Sequence, residues 1–89
     1  MATSDTMQYE SWEIELCRQG SMLAACCRDL SGDAGNWHSP LCETARKLWW
    51  YVDRYFLWER ELFPARRCPE RDRFREAFME MAQRLEVTP

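Results

Sequence analysis

Cysteine and histidine are the residues of this 89-residue chain that are best suited to chemistry. His38, the single histidine, lies four residues before Cys42, and Cys26 and Cys27 lie upstream. Sulfur and imidazole nitrogen are ligands that zinc prefers, so a structural zinc site of Cys26, His38 and Cys42 is one hypothesis. Adjacent cysteines on a helix point about 100° apart, however, and no Cys-x-x-Cys pair occurs. We favour buried, unreactive thiols instead, and expect no metal and no cofactor.

A catalytic cysteine would need His38 as its base, because the chain contains no other histidine. The sequence places no third residue to orient such a pair. A chain of this length also offers little room for a pocket that excludes water. We therefore expect that this protein is not an enzyme.

Arginine is concentrated between residues 60 and 75, although the net charge of the chain is −3. Guanidinium groups suit phosphate contacts, so a dimeric nucleic-acid-binding regulator is the alternative functional hypothesis. Acidic residues interleaved with the arginines and the negative net charge count against it, because they weaken the field that attracts a polyanion. The arginines that would contact nucleic acid are Arg66, Arg67, Arg71, Arg73 and Arg75.

The segment from Leu48 to Trp58 holds three of the five tryptophans and only two charged residues. A helix that is apolar nearly all round is buried on several sides or shared with another molecule. We expect its outer side to pair with a second copy of the chain, since two-fold self-association is the commonest solution. A different partner protein is the alternative. The expected self-association surface consists of Trp50, Tyr51, Leu57 and Trp58.

A second set of residues is favoured for binding a larger protein. An acidic N-terminal region with aromatic anchors could occupy a basic groove, because tryptophan and tyrosine are frequent interface hot spots. This set consists of Trp37, Arg66, Arg67, Glu10 and Glu13. The sequence thus predicts a small non-enzymatic protein–protein interaction module, a regulatory adaptor or inhibitor, that acts as a homodimer.

The elements that position these residues are all predicted to be helices. Apolar residues recur at helical spacing over residues 7–31, which predicts a first helix there. A line of small residues beside this stripe includes Gly20, which weakens a helix by about 1 kcal/mol relative to alanine. We interpret Gly20 as the place where a bulky neighbour packs. We find no segment in which apolar and polar residues alternate as they do in a β-strand.

Two prolines predict where the remaining helices begin. Ser39–Pro40 is a cap followed by proline, which predicts a second helix over residues 40–63. Pro69 likewise predicts a third helix over residues 69–86. Short connections make neighbouring helices antiparallel. The sequence therefore predicts an all-α fold, a single helical domain over residues 1–89. Its three-helix bundle has a long antiparallel helical hairpin plus a shorter third helix, and we expect it to dimerise.

The chain shows no membrane or export signal. Its N-terminal residues lack the basic start and apolar stretch of a signal peptide. No uncharged run approaches the roughly 18 residues that span a bilayer. Five cysteines is an odd number, and reduced thiols are the default without export. We expect a cytoplasmic protein without membrane contact.

Overall fold

A four-stranded antiparallel sheet followed by helices forms the structure. The computed structural model describes residues 4–33, 35–63 and 68–86. The strands are β1 (Ser4–Tyr9), β2 (Trp12–Gln19), β3 (Met22–Asp29) and β4 (Asn36–His38). They are hydrogen-bonded in the order β1-β2-β3-β4. The helices are α1 (Ala45–Tyr51), a π-helix that continues it (Val52–Trp58), and α2 (Pro69–Glu86).

The prediction of an all-α three-helix bundle is wrong, because residues 7–31 form strands instead of a first helix. Apolar and polar residues alternate from Trp12 to Leu16. This period of two places Trp12, Ile14 and Leu16 on one face of β2. Ile14 is fully buried, although a helical stripe through this region omits it. The alternation is the signal for a half-buried strand, and it outweighs the looser fit to helical spacing.

Two-residue turns connect the first three strands. Pairing of Tyr9 with Trp12 and of Gln19 with Met22 leaves two residues in each loop. Gly20 begins the second loop with a φ of +64°, the sign that tight hairpin turns need. Nothing lies within 4 Å of the position that a Cβ of Gly20 would take. Gly20 is therefore required for its backbone conformation, and its interpretation as a packing site is wrong.

One face of the sheet packs against the helices and forms the core. The largest fully buried side chains come from β2, β3, α1, the π-helix and α2: Phe56, Phe78, Ile14, Leu16, Leu23, Leu48, Val52 and Cys27. The rings of Trp12 and Phe56 meet edge to face, with centroids 4.8 Å apart. The opposite face of the sheet carries polar and small side chains, and among the described residues none on that face is buried.

The second predicted helix, over residues 40–63, is shorter than expected and begins later. Ser39–Pro40 does not start it; the chain is still extended at Cys42, which pairs with Leu23 of β3. Thr44 is the actual N-cap, since its hydroxyl oxygen accepts a hydrogen bond from the Lys47 N–H at 3.1 Å. The capping residue Thr44 therefore determines where α1 begins.

The third predicted helix is present as α2, which begins at Pro69. It buries Phe74, Phe78, Met81, Ala82 and Leu85 against the core. None of the described helices is long and apolar enough to cross a bilayer.

The π-helix changes which side chains share a helix face. A helix with i→i+5 hydrogen bonds turns less per residue than an α-helix, so residues seven apart no longer lie above one another. Leu57 consequently lies in the core with 3% of its surface exposed, whereas Trp50 is 48% exposed. The predicted outward alignment of Trp50 and Leu57 is therefore wrong.

The hairpin turns can be tested by substituting their first residues. Gly20→Ala is expected to destabilise the protein, because a non-glycine residue at positive φ costs about 1–2 kcal/mol. Glu10 occupies the equivalent position of the first hairpin with a φ of +52°, so Glu10→Gly should relieve strain and stabilise by up to about 1 kcal/mol. Urea denaturation measures both changes. A helix would give the opposite result, since Gly20→Ala would then stabilise.

Candidate functional site

A group of aromatic side chains lies exposed on the side of α1 and the π-helix that faces away from the core. Trp50 and Tyr55 are exposed, and Tyr51 is partly buried beside them. The Trp50 ring meets Tyr51 and Tyr55 edge-on, at centroid distances of 5.0 and 5.8 Å. Tyr51 and Tyr55 stack at 5.9 Å. Each ring thus contacts the two others, which fixes their orientation.

Basic side chains surround these rings. The Arg54 guanidinium lies 5.7 Å from the centroid of the Trp50 ring and 5.9 Å from that of Tyr55. Arg46 and Lys47 line a shallow cleft together with Thr44 and Trp50. Within the described part of the chain, Arg46, Lys47 and Arg54 form no ion pair with a carboxylate. We call Arg46, Lys47, Trp50, Tyr51, Arg54 and Tyr55 the basic aromatic surface.

The helix that carries the basic aromatic surface is anchored by α2. The N–H of Ala45, at the start of α1, donates a 2.7 Å hydrogen bond to the Glu86 carboxylate at the end of α2. In the π-helix, Asp53 accepts two hydrogen bonds from the Arg71 guanidinium, at 2.6 and 3.2 Å. The Arg71 guanidinium also lies 5.5 Å from the centroid of the Trp49 ring, which is on the buried side of α1. These contacts connect both halves of the helix that carries the surface to α2.

The structure brings together only part of the predicted self-association surface. Trp50 and Tyr51 are neighbours in the basic aromatic surface, and Trp58 is 58% exposed. Leu57 is buried and is not available to another molecule. Tyr55, which helical spacing assigns to the core, is exposed in its place. The π-helix, which the sequence does not reveal, is the reason for both differences.

The second predicted set of partner-binding residues is scattered. Trp37 lies on the core side of the sheet, where its ring is 5.7 Å from that of Phe56. Glu13 lies on the opposite side, where it accepts a hydrogen bond from Arg28 Nε at 3.0 Å. Glu10 is in the turn between β1 and β2. Arg66 and Arg67 lie outside the described residues. Because the sheet separates Trp37 from Glu13, these two residues do not belong to one surface.

Of the arginines proposed for nucleic-acid binding, the structure describes Arg71, Arg73 and Arg75, all on α2. Arg71 is occupied by its ion pair with Asp53. The Arg75 guanidinium lies 6.0 Å from the Trp49 ring centroid. Arg73 is exposed and lies 4.0 Å from the carboxylate of Glu70. Of the three, Arg71 is therefore the one whose charge is taken up by a close ion pair within the chain. Arg66 and Arg67 again lie outside the described residues.

The zinc hypothesis is not compatible with the sheet. Cys26 and His38 are opposite one another on β3 and β4, on the face away from the core. Cys42 is buried and pairs with Leu23 on the core face. The three side chains therefore lie on different sides of the sheet. Among the described residues, no three histidine, cysteine or acidic side chains are placed to hold one metal ion.

Burial also keeps the cysteines unreactive. It raises the pKa of the Cys27 thiol to about 12. It likewise raises the pKa of Cys42 and that of Cys26, the cysteine opposite His38. Thiolate is the form that attacks electrophiles and binds metals, so these residues are protonated at neutral pH. A raised pKa works against the activation that Cys26 would need as a nucleophile.

Cys27 is expected to resist alkylation in the folded protein. A pKa of about 12 instead of the usual 9.0 lowers its thiolate fraction at pH 8. The reduction is about a thousandfold, since each pKa unit is a factor of ten. Iodoacetamide labelling followed by mass spectrometry measures the rate at each cysteine, with the urea-unfolded chain and the partly exposed Cys17 as references. Equal labelling of Cys27 and Cys17 in the folded protein would contradict this assignment.

Comparison of the chain with protein-family models, curated proteins and solved structures gives no match. The function must therefore be inferred from the chemistry of the surfaces described above.

Proposed function

We propose that this chain is a small non-enzymatic protein–protein interaction module, a regulatory adaptor or inhibitor, that binds a partner through the basic aromatic surface. The observation that carries the proposal is the exposure of Trp50 and Tyr55 beside Arg54, on a helix that is hydrogen-bonded to α2. Tryptophan, tyrosine and arginine are the residue types that most often dominate binding energy at protein interfaces. Their clustering here gives a partner one concentrated contact site.

The packing of the rings favours binding energetically. Covering a large exposed aromatic side chain contributes up to about 1.5–3 kcal/mol. Ordering a mobile side chain at an interface costs about 0.5–1.5 kcal/mol. The Trp50 and Tyr55 rings already contact one another in the free protein, so less of that cost remains on binding. A few such residues are sufficient for a specific contact.

The positive charges of the basic aromatic surface affect how favourable the predicted homodimer would be. A two-fold contact places the same surface of two copies face to face. It would bring the unpaired Arg46, Lys47 and Arg54 of both copies together, and like charges repel. A partner of different sequence is therefore the occupant that we propose, and self-association through these residues is the alternative that the experiment below also measures.

We further propose that the protein acts in a reducing compartment such as the cytoplasm. Its five cysteines are all free thiols, and Cys27 and Cys42 serve as small buried side chains. Both properties are typical of proteins that are not exported.

A photo-crosslinking amino acid at position 50 should capture a defined partner in the native host, whereas one at position 6, on the open face of the sheet, should not. Binding of the captured protein is then measured by calorimetry. Trp50→Ala with Tyr55→Ala is expected to weaken it at least thirtyfold, about 2 kcal/mol, because two partly exposed rings are lost. Leu30→Ala, which trims a side chain that is 55% exposed elsewhere, is the matched control.

Light scattering at micromolar concentration separates the two kinds of partner. A mass of 10.7 kDa is expected for the free chain. A doubled mass that Trp50→Glu returns to that of one chain would show self-association instead. Unchanged binding of the captured protein by the double alanine variant would refute the proposed function.

A further inference from the structure

We infer that the basic aromatic surface recognises an acidic segment of its protein partner, in which two carboxylates flank an apolar residue. The inference rests on the proposed function and specifies the chemistry of the partner. Its basis is the position of unpaired cations on both sides of Trp50: Lys47 lies in the preceding turn and Arg54 in the following one.

These cations differ from those arginines of the chain that have a carboxylate partner, and from Arg18 and Arg60, which donate hydrogen bonds to backbone carbonyl oxygens. Arg28 pairs with Glu13, Arg71 with Asp53, and Arg84 with Glu80. In contrast, no carboxylate of the described residues pairs with Arg46, Lys47 or Arg54. Carboxylates are not scarce, since acidic residues outnumber basic ones by 15 to 12 in the chain. An acidic protein that leaves three neighbouring cations unpaired has a surface complementary to carboxylates.

The separation of Lys47 and Arg54 limits how far apart the two carboxylates of the partner segment can be. Lys47 lies in α1 and Arg54 in the π-helix, so a rise of about 1.5 Å per residue gives an upper limit of roughly 10 Å for their separation along the axis. An extended peptide advances about 3.3 Å per residue, so it would reach both cations with acidic residues roughly three positions apart. The side chains between them would contact Trp50 and Tyr55. The shallow cleft lined by Arg46, Lys47 and Trp50 is open to the first carboxylate.

Single-stranded nucleic acid fits the same surface less well. Proteins that bind it stack bases on exposed aromatic faces along a strongly positive groove. The Arg54 guanidinium lies over the Trp50 ring, 5.7 Å from its centroid, where a stacked base would have to displace it. The surface offers three cations, and the net charge of −3 repels a polyanion at longer range. A segment with two or three carboxylates matches the available charge.

Selection of random twelve-residue peptides displayed on phage tests the inference. Peptides selected against the wild-type protein are expected to carry Asp or Glu about three positions apart, flanking an aliphatic or aromatic residue. Synthetic peptides with this pattern should bind at least tenfold more weakly to Arg54→Glu and to Lys47→Glu, as measured by fluorescence anisotropy. Arg73→Glu, an equal charge change at an exposed position of α2, should change the affinity less than twofold.

Several outcomes would overturn the inference. Selected peptides that are apolar without acidic residues, and that bind Arg54→Glu unchanged, would leave the proposed function standing but remove the acidic partner. Equal enrichment of peptides on the wild type and on the variant with Trp50→Ala and Tyr55→Ala would count against both the inference and the proposed function. A labelled dT12 oligonucleotide that binds more tightly than every selected peptide, and is released by Arg54→Glu, would identify nucleic acid as the ligand. Circular dichroism of each variant verifies that it is folded.

Discussion

The contact between the sheet and the buried side of the π-helix determines the rest of the structure. Phe56 is fully buried, and its ring meets Trp12 of β2 and Trp37 of β4, with centroids 4.8 and 5.7 Å away. Such aromatic pairs contribute about 0.5–1.5 kcal/mol beyond the area that they bury. Fixing Phe56 against the sheet orients the whole helix. Since the sheet can cover only one side of this aromatic helix, the side that carries Trp50 and Tyr55 must face outward.

The sheet has an open face too, but its chemistry differs from that of the basic aromatic surface. Arg28 on β3 pairs with Glu13 and lies 3.8 Å from Glu15, both on β2. Arg28 thus offsets part of the negative charge across the strands, as is common on the solvated face of an antiparallel sheet. Arg46, Lys47 and Arg54 have no ion pair of this kind in the described part of the chain. The open face therefore carries paired charges, whereas the helix presents cations and ring surface to another molecule.

Sequence reasoning succeeded where structure is local and failed where it depends on distant pairing. Pro69 starts α2 because a proline at the first helical position and the apolar stripe behind it are local signals. From Trp12 to Leu16 the sequence alternates as a strand does, but over residues 7–31 as a whole apolar residues also recur at helical spacing, and pairing of β2 with β1 and β3 stabilises the strand. Trp50 was correctly expected to be exposed. The prediction that Leu57 faces outward is wrong, because its position depends on a change in helical hydrogen bonding that no residue pattern predicts.

Arg54 explains how charge and aromatic surface can act at one place. Its planar guanidinium stacks on an aromatic face and still presents N–H groups at its edge, which a lysine ammonium cannot do. Here the guanidinium lies 5.7 Å from the Trp50 ring centroid and 5.9 Å from that of Tyr55, within reach of a cation–π contact with either ring. A carboxylate that approaches this edge would form a charge-assisted hydrogen bond beside desolvated rings, where it is stronger than in open water. The apolar and ionic parts of recognition would then reinforce each other, and neither Trp50 nor Arg54 alone would provide the specificity of the pair.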